Sequence, residues 1–128
     1  MTTGSIGTAT VRVVESNTAM AVGSGLLPVY STPSMIALLE MAACNAISDQ
    51  LEEGSTSVGT LLNIKHLAAT PIGMNVTATA TLTEVDGRRL VFDIKVHDEV
   101  SLIGEGTHER FIVFSEKFLA KTNAKATK

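Results

Sequence analysis

Cys44 is the only cysteine among 128 residues. No intrachain disulfide can form, and no Cys-His cluster has the spacing of a zinc site. Basic residues are also short: ten lysines and arginines face thirteen acidic residues, for a net charge of −3. A chain without a basic surface is a poor candidate for non-specific nucleic-acid binding. No apolar run is long enough to cross a membrane; the longest candidate, Met35 to Ile47, is too short and is broken by Glu40. The start, Met1 to Ser5, has neither basic residues nor an apolar core, so it does not read as a signal peptide. A cytoplasmic location is the resulting expectation. There is no Gly-x-Ser-x-Gly elbow, no phosphate loop and no metal motif.

What is present is 45% hydrophobic content, enough for a core in one domain. A single domain is expected over 1–128, with its core in 6–118 and a frayed tail over 119–128 in the lysine-rich stretch that begins at Lys117. The organising segment is Thr32 to Gln50. Thr32-Pro33 reads as an N-cap and first helical residue, and no glycine or further proline follows until Gly54. Met35 to Ile47 is apolar on all sides, which predicts a helix buried all round. Glu40 falls in the stripe Ile36, Glu40, Ala43, Cys44, Ile47. A carboxylate there is either structural, bonded to backbone or a cation, or it is a catalytic acid, base or orienter.

The rest of the chain reads as strands. Residues 6 to 15 form the first. Residues 16 to 31 are rich in glycine and end in Leu26-Leu27-Pro28-Val29-Tyr30, an irregular stretch that is a plain connector or a lid. In the lid reading, Leu26 borders the pocket. Ser57 to Leu67 alternates with Val58, Leu62, Ile64 and His66 on one face. Residues 74 to 84 alternate Val76, Ala78, Ala80 and Leu82 against threonines. Asp86-Gly87 signals a hairpin, and Leu90, Phe92, Ile94 and Val96 answer on the next strand. Leu102 to Phe114 is the last. One long helix wrapped by a curved antiparallel sheet of about five strands is an α+β layout.

Three side chains suggest chemistry. A hydroxyl (Thr32), an imidazole (His66) and a carboxylate (Glu40) are the parts of a nucleophile or water-activating system. Each has a structural alternative: Thr32 as a cap, His66 as a satisfied core or rim residue, Glu40 as an ion-pair member. Thr32 and Glu40 lie about 12 Å apart along one helix, so they share a site only if it is extended or crosses a cleft or subunit interface. Arg110 and His108 share parity with Ile112 and Phe114, which suits an interface or a buried ion pair with Glu40 or Glu109. His97 reads as solvated and Cys44 as a small core residue.

Taken together and in order, the strings Ser57-Val58-Gly59-Thr60, His66-Leu67-Ala68-Ala69-Thr70-Pro71-Ile72-Gly73, Gly87-Arg88-Arg89-Leu90 and Gly104-Glu105-Gly106-Thr107-His108-Glu109-Arg110 resemble hot-dog-fold thioesterases of the fluoroacetyl-CoA thioesterase type. The resemblance covers about residues 28 to 118. It implies a hot-dog homodimer, or a larger even assembly, with acyl-CoA sites at the subunit interface. It implies hydrolysis of a short-chain acyl-CoA with no cofactor beyond the coenzyme A of the substrate. Thr32, Glu40 and His66 match residues that act together in that family, Gly59 matches a glycine whose N–H lies near the thioester carbonyl, and Arg110 matches an arginine of the site region. Coenzyme A phosphates need cations, for which Lys65, Arg88, Arg89 and Lys117 are candidates. The same fold serves acyl-CoA hydratases and dehydratases, whose Asp-His pair is not found near the helix start. It also serves non-catalytic acyl-CoA binding modules.

Overall fold

The computed structural model describes residues 1–126. Strand β1 (Ile6–Arg12) leads through a 3-10 turn (Glu15–Asn17) and a single-turn helix α1 (Ala19–Val22) to the long helix α2 (Thr32–Ile47). Strands β2 (Ser55–His66), β3 (Asn75–Asp86), β4 (Arg89–His97) and β5 (Leu102–Phe114) follow, then helix α3 (Ser115–Asn123) and a last 3-10 turn (Ala124–Ala126). All five strands join one antiparallel sheet in the order β1-β3-β4-β5-β2. Strands β1 and β2 are its edges.

The period-two pattern decides the sheet face. Val76, Ala78, Ala80 and Leu82 of β3, and Leu90, Phe92, Ile94 and Val96 of β4, are all fully buried. The register sets small against large: Ala80 opposes Ile94, and Ala78 opposes Val96. That leaves room for α2, which lies mainly across β1 and β3. At Gly7 of β1 the helix comes so near that any Cβ would overlap the Ala42 and Ala46 backbone, so only glycine fits there. Each large side chain buried between helix and sheet contributes about 1.5–3 kcal/mol.

Four expectations need correction. Helix α2 is not buried all round: Ala37, Met41 and Asn45 are exposed, Met41 at 56%, because one sheet covers only one side of a helix. Its N-cap is Ser31 rather than Thr32; Ser31 Oγ accepts from the Ser34 N–H at 3.2 Å, and Thr32 is already helical. The alternation in β2 is interrupted by a bulge between Gly59 and Leu61. Gly59 pairs with Arg110, Leu62 with His108, Ile64 with Gly106 and His66 with Gly104, so Gly59 shares the helix-facing side with Leu62 and His66, while Val58 pairs with Phe111 on the other face. Finally, the tail expected to fray is helical through Asn123 and turns once more to Ala126. Residues 127 and 128 lie outside the described residues.

Candidate active site

Because Ser31 caps α2, the Thr32 hydroxyl is free for another partner. It lies 2.7 Å from His66 Nδ1. His66 is the last residue of β2, and it reaches the helix start because the β2 bulge keeps its side chain on the helix-facing side. The pair lines a cavity of about 340 Å³ whose other walls include Ala19, Val29, Tyr30 and Ala68. Part of the glycine-rich stretch therefore does form a pocket wall. Leu26 does not line this cavity and stands 89% exposed.

Two buried side-chain polar atoms lack a hydrogen-bond partner among the described residues: His66 Nε2 and the Tyr30 hydroxyl. Both residues line this cavity. Burial pushes the His66 imidazole below the ordinary histidine value, and the Ala68 backbone pulls it partly back. The ring is therefore neutral at pH 7, and Nδ1 can accept the Thr32 proton. Burial likewise raises the Tyr30 phenol to about 12.

Glu40 belongs to a second cluster, about 12 Å further along α2. Its Oε2 accepts from Arg110 Nη1 at 3.2 Å, and its side chain keeps 37% of its exposure. The carboxylate is thus half-open and paired, not sunk in an apolar stripe. Arg110 Nε donates to Ser57 Oγ at 2.8 Å and Nη2 to the Ser57 carbonyl at 2.9 Å. Gly59 sits directly against this group: an added Cβ would overlap Glu40 Oε2 and lie 3.2 Å from His108 Cε1.

Within one chain, Thr32 and His66 are brought together, and Glu40, Gly59 and Arg110 are brought together, but the two groups are separate. Ser57 and Tyr30 carried no functional reading of their own from sequence, and His108 carried only that of an interface or buried ion-pair residue. The alternation of β5 already placed His108 beside Arg110; nothing local marked Ser57, since its partner lies across the sheet. Of the cations considered for coenzyme A phosphates, Arg89 is held by Glu109 and Glu84, and Arg88 stacks 5.6 Å over the Phe114 ring. Among the described residues no cluster of metal-ligating side chains comes together, and no helix is long and apolar enough to cross a membrane.

A family profile described as fluoroacetyl-CoA-specific thioesterase matches residues 13–116. A fluoroacetyl-CoA thioesterase of Streptantibioticus cattleyicolor is 46% identical over 97 residues, which is 76% of this chain and 70% of that one. A solved structure of a fluoroacetyl-CoA thioesterase superposes with a TM-score of 0.92 at 38% identity, covering 98% of this chain and 97% of the other. A thioesterase superfamily member of Thermus thermophilus superposes at 0.90 with 26% identity, over 98% and 93%.

Proposed function

The chain belongs to the fluoroacetyl-CoA-specific thioesterase family, and on that footing we propose that it hydrolyses a short-chain acyl-CoA to the free acid and CoA at a site completed by a second copy. The observation that carries this reading is the Thr32–His66 pair at 2.7 Å, in a cavity where His66 Nε2 has no partner. Hydroxyl and neutral imidazole at that distance are a nucleophile or water-holder with its base. The attacking oxygen, Thr32 Oγ1 or a water it orients, gives its proton to His66 as it bonds to the acyl carbon. The carbon–sulfur bond then breaks and the proton passes to the departing CoA sulfur. If Thr32 is acylated, a water repeats the cycle and frees the acid. The backbone near Gly59 of the partner subunit, a residue with no side chain of its own, is the place for the carbonyl oxygen.

Glu40 enters through the dimer. Edge strand β2 exposes Leu61 and Leu62, and Phe111, opposite Val58 on β5, is also exposed; an edge of this kind invites pairing. Two copies related by a twofold axis would pair β2 antiparallel. Centred on Asn63, with residue 60 left out by the β2 bulge, that pairing sets His66 opposite Gly59 of the partner subunit, and so brings one Thr32–His66 pair towards the other chain's carboxylate cluster. Leu26, so exposed in one chain, is kept as the lid residue facing substrate. The chain acts as one domain, and the cytoplasm is the compartment that goes with an acyl-CoA substrate and an unpaired thiol.

Release of CoA from a panel of acyl-CoAs, followed with a thiol reagent, is the test. His66→Ala should lower turnover about a hundredfold or more, and light scattering should give at least twice the mass of one chain. Loss of enoyl-CoA absorbance without thiol release would instead identify a hydratase. Saturable acyl-CoA binding with neither signal would identify a binding module.

A further inference from the structure

His108 is fully buried under the sheet, and the thioesterase reading makes no use of it. Its Nδ1 lies 2.9 Å from the Leu61 carbonyl, which the β2 bulge presents to it. A carbonyl only accepts, so Nδ1 carries the hydrogen. Arg110 Nη1 is 3.1 Å from His108 Nε2. A guanidinium only donates, so Nε2 is a bare acceptor and the ring is neutral. The same Nη1 gives its other hydrogen to Glu40 Oε2 at 3.2 Å. The 3.8 Å between His108 Nε2 and Glu40 Oε2 is thus a gap between two acceptors that share one donor, not an ion pair.

We propose that His108 is a positioning residue for Glu40: its bare Nε2 fixes the rotation of the Arg110 guanidinium, so that one N–H is aimed at a single carboxylate oxygen and the other oxygen stays open to the site. Without that acceptor, Ser57 alone would hold the fork from one side, through Nε and Nη2. The surroundings fit a neutral ring. Phe92 of β4 faces it with ring centroids 6.3 Å apart. The charged groups near it are Arg110 and Glu109 on its own strand and Glu40 on α2, and burial, ahead of their fields, lowers its proton affinity. The role in turnover rests on Glu40 being part of the proposed site; the hydrogen-bond arrangement does not.

Two substitutions separate the parts of the ring. His108→Gln places an amide oxygen near the position of Nε2 and can still accept from Arg110. His108→Asn reaches only the position of Nδ1, keeping a donor for Leu61 and losing the acceptor. The Asn variant should lose about tenfold or more in kcat with KM little changed, the scale of a misplaced reacting group, and the Gln variant should recover most of it. Equal impairment of both, or wild-type kcat in a folded Asn variant, would overturn the proposal. Nitrogen NMR gives a reading that needs no turnover. The wild-type ring should show Nδ1–H and a bare Nε2 at neutral pH. The Arg110 Nη signals should stay distinct in the Gln variant and average in the Asn variant. A doubly protonated ring, or Arg110 signals indifferent to both changes, would refute the arrangement even if CoA release is normal. Failure of the wild-type protein to release CoA, with these spectra as expected, would strike the thioesterase reading and the turnover role and leave the arrangement standing.

Discussion

Gly59→Ala is the sharpest probe of the carboxylate cluster. The new Cβ would overlap Glu40 Oε2 and press on His108 Cε1 at 3.2 Å and Arg110 Nη1 at 3.4 Å. Of these, the Glu40 carboxylate is the end of a flexible, 37% exposed side chain, so it is the group that yields. To reach ordinary contact it must retreat about 1 Å. The Arg110–Glu40 bond, already 3.2 Å, then passes beyond useful hydrogen-bond length. The stability cost is small: the carboxylate is 37% exposed and the buried guanidinium keeps both of its Ser57 bonds, so the weakened contact costs about 1 kcal/mol, which for a chain of this size is a fall of about 4 °C in Tm. The catalytic cost is larger, because a shift of about 1 Å in a reacting group costs on the order of a hundredfold. The variant should therefore melt close to wild type and release CoA far more slowly. Thermal melting and the thiol assay on one preparation decide it. Turnover close to wild type would remove Glu40 from the mechanism. A collapse of Tm would mean that backbone, not the carboxylate, had to move.

Other consequences follow from the same geometry. Since His66 must be neutral to accept the Thr32 proton and burial lowers its proton affinity, kcat/KM should fall only as pH drops below about 6.5, the ordinary histidine value; an acid limb centred above neutrality would contradict this. Ser31→Ala should cost about 1 kcal/mol of stability through the lost cap with turnover kept, whereas Thr32→Ala should lose turnover and keep the cap; denaturant melts and CoA release on both variants check the division. Tyr30→Phe removes a buried hydroxyl that has no partner and should stabilise the free protein by about 1 kcal/mol. Burial holds the wild-type phenol neutral in the fold and raises it to about 12, so ionisation of the unfolded chain lowers stability by about 3 kcal/mol as pH rises from 10 towards 12, and the Phe variant should lack this alkaline loss.

Period and turn chemistry made most of the architecture legible. The strict alternation of residues 76 to 82 and 90 to 96, joined by Asp86-Gly87, leaves one pairing that buries the apolar parity, and that is the pairing found. The length and composition of Thr32 to Ile47 allow nothing but a helix. Thr32, Glu40, His66, Gly59 and Arg110 could be named because hydroxyl, imidazole and carboxylate stand out against an apolar chain, and because their flanking strings resemble a family. Their grouping was not legible. A one-residue bulge after Gly59 reverses which residues face the helix, and no local pattern records it, since it depends on how β2 meets β5. Because the cap falls to Ser31, the Thr32 hydroxyl is left to meet His66, 34 positions away in sequence. Likewise the charge state of His108 follows from a carbonyl on β2 and a guanidinium on its own strand. Residue type and spacing determine which groups are available; distances between strands and helix decide which of them meet, because hydrogen bonds and carboxylate–guanidinium contacts act over about 3 Å and the sequence carries no such lengths.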